Sequence, residues 1–248
     1  MLEIAGLFFV LLAGNHSEVV NSWGDILALP DAAGFTTIAL GGFLAFYAFV
    51  GFEDMVNVVE EVKNPRKNVP IAIALAVILS TLVYIAVTLI AVRTMPIDQL
   101  ATSDAPLADI VINGGHSPEG IGLISLITVI NGALVQLIMA SRVMYGMGNQ
   151  NMAPKILSYI NPTTQTPLIA TILAAIFILV FALWLPLVTL AKLTSFIMLT
   201  IFTLVNIALI IIKHRQPISE GVVHYPIFVP IIGALLCVAL VVVQVIFV

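Results

Sequence analysis

The sequence predicts an all-α integral membrane fold in which one helix is interrupted partway through the bilayer, and three observations carry that reading. Of the 248 residues, 61% are hydrophobic and 9% charged, with a mean hydropathy of +1.17, whereas a soluble domain carries about 25% charged residues. Six apolar stretches meet the roughly 20-residue length that spans a hydrocarbon core about 30 Å thick. Inside the first of them, Phe35 to Val62, stands Gly51-Phe52-Glu53-Asp54. A carboxylate at mid-bilayer costs roughly 2.5–3.5 kcal/mol on insertion scales, so one found there faces protein or a water-filled path.

Taken in order, the chain opens on Leu2 to Leu12, apolar but about half a span long. A signal peptide needs a basic start and a small-residue cleavage site; Glu3 is the only charge here, so residues 1–14 read as a partial span. The full spans follow at 35–62, 71–92, 121–147, 168–185, 190–212 and 225–248. Val241 to Val248 stays apolar to the last residue, and the expectation is a fragment of a longer protein. The whole, 1–248, reads as a single membrane domain. Its longest polar segment has about 25 residues, too few for a soluble domain, which needs about 40 without extra supports. Cys237, the single cysteine, lies in the last span and can form no disulfide within one chain.

The loops set the orientation. Lys63, Arg66, Lys67, Arg142, Lys155, Lys213 and Arg215 fall on one side and only Arg93 and Lys192 on the other. The positive-inside rule makes the first side cytoplasmic. The loops from Asn15 to Gly34 and from Met95 to Gly120 then face outward and carry Glu18, Asp25, Asp31, Asp98, Asp104, Asp109 and Glu119. Asn15-His16-Ser17 is a three-residue glycosylation match on that side. The Pro96 to Gly120 loop lacks periodicity and is read as surface, with short helices. A multi-pass protein of the cell membrane is the expected setting.

Drawn as one straight helix at 1.5 Å per residue, Thr36 to Val59 puts Glu53 within roughly 10 Å of the membrane centre. Gly51 weakens the helix there by about 1 kcal/mol relative to alanine, and a break is expected between Tyr47 and Asp54. In lipid such a break survives only where protein or a water-lined cavity meets the freed backbone groups. The outer half-helix would end with carbonyls suited to an ammonium or a cation, and the inner half would begin with N–H groups suited to a carboxylate. A plainer reading has Glu53 or Asp54 cap the inner half and Gly41, Gly42 and Gly51 pack closely. Asp54 is taken as the cap and Glu53 as the gating or proton-linked carboxylate.

The run FLAFYAFVGFEDMVNVVEEVKNPRKNVP, Phe43 to Pro70, resembles the sixth membrane helix and following loop of the amino acid-polyamine-organocation transporter superfamily. A second run, SRVMYGMGNQNMAPKILSYINPTTQTP, Ser141 to Pro167, resembles the segment between that superfamily's eighth and ninth helices. The resemblance covers nearly the whole chain, from the fifth helix to the eleventh. It implies a leucine-transporter-like inverted-repeat fold, of which this chain holds the second repeat only, with the discontinuous helix at about 35–62. In such folds the site lies at the midplane between discontinuous helices. The resemblance then implies that backbone at Tyr47, Ala48 and Val50 meets a substrate ammonium and that the Tyr47 ring faces the substrate side chain. Phe49 and Gly51 would shape the unwound turn, and Glu53 would stand where relatives keep a gating carboxylate. The family's first helix, which receives the substrate carboxylate, has no counterpart here. The missing helices or a second copy of the chain are therefore the implied partners, and the chain alone is not expected to transport.

Other polar positions at membrane depth are Asn131, Gln136, Thr194, Ser195 and Asn206. They either line a path or hydrogen-bond between helices, at roughly 0.6 kcal/mol each. Glu60, Glu61, Lys63, Arg66 and Lys67 read as an inner ion-pair network or as a solvated anchor. Pro70 is read as the first residue of the next helix. The histidines, His16, His116, His214 and His224, lie in loops or at span ends, with no H-E-x-x-H pair, so no metal and no cofactor is expected. Ser141 has no neighbouring base for a nucleophile's role, and no phosphate loop with its lysine occurs. Nothing points to nucleic acid. The leading expectation is a non-enzymatic secondary transporter of amino acids or related amines, driven by a proton or sodium gradient or by exchange. The alternative is a structural or assembly subunit of a larger membrane complex.

Overall fold

Apolar residues at nearly every helical position leave no polar face, and the chain accordingly folds into long helices that keep most of their side chains outward. A computed structural model describes residues 2–15, 20–26, 32–215 and 225–247. In chain order the helices are α1 (Leu2–Asn15), α2 (Trp23–Ile26), α3 (Ala32–Ala45), α4 (Pro65–Thr94), α5 (Ile97–Thr102), α6 (Pro106–Asn113), α7 (Glu119–Asn149), α8 (Leu168–Trp184), α9 (Leu187–Arg215) and α10 (Phe228–Phe247). Short 3-10 segments lie at Phe46–Phe49 and Lys155–Ser158, and a longer one at Phe52–Glu61; no strand occurs among the described residues.

Among the described residues five segments are long and apolar enough to cross a membrane: Gly34–Val56, α4, α7, α9 and α10. Their hydropathic windows are at most 11% buried, so the apolar surface is far beyond what a water-soluble monomer exposes. Lipid is the solvent this surface fits, and the protein is a multi-pass membrane protein. The fourth of the six expected spans, α8, has 17 residues and is roughly 25 Å long. Pro186, close beyond its end, cannot continue the helical ladder.

The chain divides into two compact units, Met1–Leu29 with Ile78–Ala174 and Pro30–Val77 with Ala175–Val248. In the first, α1 packs on α6 and α7, and α7 meets the Lys155–Ser158 turn. Its core is Val10, Ala13, Ala91, Met95, Ile110, Val111 and Ile121. These residues gather at the C-terminal ends of α1 and α4, on α6 and at the start of α7. That is where helices leave the membrane, and burial from water drives packing there but not against lipid. The 96–120 loop carries short helices, α5 and α6, and α6 turns Ile110 and Val111 into the core, fully buried.

The loop after α1 fastens the end of α4. The backbone N–H groups of Val20 and Asn21 donate to the Arg93 carbonyl at 2.9 and 3.3 Å. The Asn21 amide donates to the Val92 and Met95 carbonyls at 2.6 and 3.2 Å. Carbonyls that a helix end leaves without intrahelical donors are thereby met. The Arg93 guanidinium lies over the Trp23 ring, 5.1 Å from its centroid, a cation–π contact. His16 and Ser17 of the glycosylation match lie outside the described residues.

At its other end α4 starts earlier than expected. Pro65 takes the first helical position, where a missing N–H is harmless, and Pro70 lies inside the helix. The turn before it is held by Asn64, whose φ is +51° and whose carbonyl accepts the N–H groups of Lys67 and Asn68 at 3.1 and 3.0 Å.

In the second unit α10 packs on α9 and α3. Phe43, Ser195, Leu199 and Pro230 are buried there. The Asn206 amide donates to the Phe202 carbonyl of its own helix at 2.8 Å, so it needs no cross-helix partner.

Gly114 marks the closest helix approach with a clear consequence. A Cβ built on it would lie 2.5 Å from the Ala13 carbonyl oxygen, a backbone atom that cannot turn away. We expect Gly114→Ala to destabilise the protein by about 1–3 kcal/mol, seen as a lowered melting midpoint in detergent. Gly122→Ala, in open space on α7, should leave the midpoint unchanged or raise it.

Candidate functional site at the interrupted helix

The membrane-length stretch that begins with α3 does not continue as an α-helix. After Ala45 it tightens into the Phe46–Phe49 3-10 turn, and Val50 then swings to extended backbone at φ −62° and ψ 130°. Gly51 follows at φ +125° and ψ −19°, and the chain resumes as the 3-10 helix Phe52–Glu61. Only glycine reaches that dihedral without a Cβ penalty. A 3-10 run of ten residues is also unusual, since most stop at about three or four.

The break closes its own hydrogen bonds. The Val50 N–H donates to the Tyr47 carbonyl at 3.2 Å, and the Asp54 N–H to the Gly51 carbonyl at 3.2 Å. Glu53 folds back so that its Oε2 accepts the Gly51 N–H at 2.7 Å. A charge-assisted bond of that length is among the stronger kinds. It meets a donor that the break would otherwise leave open in a low dielectric.

Each residue singled out from the sequence has a definite place here. Tyr47 and Ala48 lie on the 3-10 turn and are exposed, Tyr47 by 40%. Phe49, Val50, Gly51, Glu53 and Asp54 are half-buried. The assignment of Asp54 as the cap is corrected. Gly51 occupies the cap position, without a side-chain cap bond, and Asp54 stands with Glu53 in the first turn of Phe52–Glu61. The glycine dihedral decides this, because the turn needs a residue without a Cβ where a cap would sit. The close-packing reading of Gly41 and Gly42 also goes unmet, since a Cβ at either would touch nothing within 4 Å.

Phe202 on α9 joins this group from far along the sequence. Its ring meets Phe46 edge-on at 6.0 Å and Phe52 at 5.6 Å between centroids. One aromatic side chain thus touches both sides of the break. The only sequence signal for it was an aromatic residue on an apolar span, indistinguishable from ordinary filling. Ser195, two turns earlier on α9, is fully buried, and its hydroxyl has no partner among the described residues. No cluster of His, Cys, Asp or Glu suited to a metal occurs among the described residues.

The site is thus a membrane-length helix broken at a glycine, with a carboxylate folded onto the break. The profile described as amino acid permease matches residues 1–248. The chain belongs to the amino acid permease family. It is thus of a transporter family, not an enzyme family. Among curated relatives it is similar to the methylthioribose transporter of Bacillus subtilis, 28% identical over 240 residues that cover 96% of this chain and 51% of the relative. It is similar also to the branched-chain amino acid permease BcaP of the same organism, 29% identical, covering 85% of this chain and 45% of the relative. Cationic amino acid transporter 4 of Homo sapiens is 30% identical, over 89% of this chain and 35% of that protein. The chain therefore spans about half the length, or less, of these relatives.

Two outcomes follow from the geometry of the break in this permease-family chain. Gly51→Ala forces a Cβ onto a positive φ and should cost about 1–3 kcal/mol, read as a lower melting midpoint in detergent. A double-mutant cycle between Phe202→Ala and Phe52→Ala should return a coupling of about 0.5–1.5 kcal/mol; additive effects would show that the ring pair does not hold the break.

Proposed function

We propose that the chain supplies half of a secondary active transporter for amino acids or related amines, with the interrupted helix as its substrate-facing element. The observation that carries this reading is the break at Val50–Gly51, sealed by Glu53, within a membrane-length helix of a permease-family chain. Broken helices of this kind are where transporters bind substrate.

On this reading the α3 side of the break offers the negative end of a half-helix to a substrate ammonium. The exposed Tyr47 ring packs on the substrate side chain, Ala48 and Val50 contribute backbone, and Phe49 and Gly51 set the shape of the turn. Glu53 serves as the gating or proton-linked carboxylate. Its bond to Gly51 gives it a means of doing so, because moving or protonating the carboxylate changes the acceptor at the break. Two of the relatives named above carry amino acids in their names, and an α-ammonium is common to that class. Transport is coupled to a proton or sodium gradient or to exchange, in the cell membrane, and the remaining half of the site comes from further helices or a second copy.

The test is uptake into proteoliposomes by a carrier that contains these residues as its second half. Tyr47→Ala should weaken apparent substrate affinity by about tenfold or more, as loss of a central aromatic contact does. Glu53→Ala removes the acceptor of a charged hydrogen bond, roughly 1.5–3 kcal/mol, and should cut uptake about 10–100-fold. Glu53→Gln still presents an oxygen to Gly51, so a loss of ion coupling with partly retained flux is expected. Wild-type behaviour of all three variants would remove the break from the transport path. Liposomes holding this chain alone should show no uptake.

A further inference from the structure

The stretch after the interrupted helix carries a concentrated positive charge that the transport reading does not use. Lys63, Arg66 and Lys67 fall within five residues and are all exposed. Asn64, Pro65, Arg66, Lys67 and Asn68 line an open hollow of ≈ 560 Å³. Its lining therefore holds two cations and two side-chain amides but no carboxylate; Glu60 and Glu61 belong to the preceding 3-10 helix.

The hollow's backbone is already fixed without a ligand. Asn64 sits at φ +51°, its carbonyl accepts the Lys67 and Asn68 N–H groups, and the Asn68 amide donates to the Lys63 carbonyl at 2.6 Å. The cations are thus carried on a braced turn, not on a loose tail.

The position along α4 identifies the partner. Polar residues end at Asn68 and the apolar run starts with Val69, Pro70 and Ile71. At 1.5 Å per residue, Lys67 stands about 6 Å along the axis from Ile71. The headgroup layer on each side of a bilayer is about 5–8 Å thick. A hollow one headgroup's depth beyond the hydrocarbon edge, lined by cations and amides, is matched to a lipid phosphate.

We propose that this hollow is a binding site for the phosphate of an anionic phospholipid. Arg66 offers the planar fork that pairs with phosphate oxygens, Lys67 and Lys63 add point charges, and the amides of Asn64 and Asn68 supply hydrogen bonds. The positive-inside effect requires only charge on one side; this site adds a fixed seat for one lipid. The proposal rests on membrane embedding and on this turn, and stands whether or not the break binds substrate.

Native mass spectrometry of the purified chain in neutral detergent tests it, with dioleoylphosphatidylglycerol or dioleoylphosphatidylcholine added at equal concentration. We expect the anionic lipid to be retained about tenfold better, given roughly 1 kcal/mol for each basic residue near an anionic surface. Arg66→Gln with Lys67→Gln should bring the ratio to within about twofold. Arg66→Lys with Lys67→Arg, and separately Lys155→Gln, should keep most of the preference, with circular dichroism confirming helicity in every variant. Equal retention of the two lipids by the wild type overturns the proposal whatever the variants do. So does a preference that survives in the double Gln variant, or displacement of the bound lipid by excess inorganic phosphate, which would mark a site for a free anion.

Discussion

The constraint on which the rest of this structure depends is that backbone polar groups inside a bilayer must find partners within the protein. Each group left open costs several kcal/mol, and a helix broken within a membrane-length segment opens several at once. The chain answers with three short-range bonds around Val50 and Gly51: Val50 to Tyr47, Asp54 to Gly51, and Gly51 to the Glu53 carboxylate. The last is the unusual one, because it uses a charged side chain to satisfy a backbone donor. A half-buried carboxylate away from water would be costly alone, and the freed donor would be costly alone; each reduces the cost of the other.

Packing elsewhere follows from the same solvent. Apolar side chains gain nothing by leaving lipid for one another, so α4 keeps its apolar window unburied. Its residues enter a core only near its end, where Ala91, with Met95 just beyond the helix, packs with α1, α6 and α7. Close approach in mid-helix depends instead on small residues and shape, and near the helix ends on backbone contact such as Gly114 against Ala13. The two regimes differ: water-driven burial and backbone contact where helices emerge, and aromatic contact such as Phe202 with Phe46 and Phe52 where they cross.

How much of this could be read in advance depended on whether the cause was local. Long apolar helices were legible because lipid demands long apolar runs, although α8, expected as a full span, falls short of that length. The break was legible because Gly51 stands beside two acids in such a run. The limits of each were set by details that composition does not carry. Asp54 suited a cap by residue type, yet the positive φ at the junction requires glycine and moves the cap to Gly51. Pro70 suited a helix start, but Pro65 lies earlier and takes that position. The Asn21 bonds to Val92 and Met95 and the Phe202 contacts with Phe46 and Phe52 join residues more than seventy positions apart. No periodicity encodes such pairs; they exist only once the helices are placed.

The bond between Glu53 and Gly51 also bears on what the break can recognise. A bare interruption offers two opposite ends, carbonyls on the α3 side and N–H groups on the other, and would accept an ammonium or a carboxylate equally. Here the Gly51 N–H is occupied by Glu53. On the proposed reading, that withdraws a donor a substrate carboxylate would use and favours an ammonium at the carbonyl side. Within the proposed transport role, an amino acid held here has its ammonium at this helix and needs its carboxylate received by a different element. That division of labour requires a second, oppositely polarised helix end.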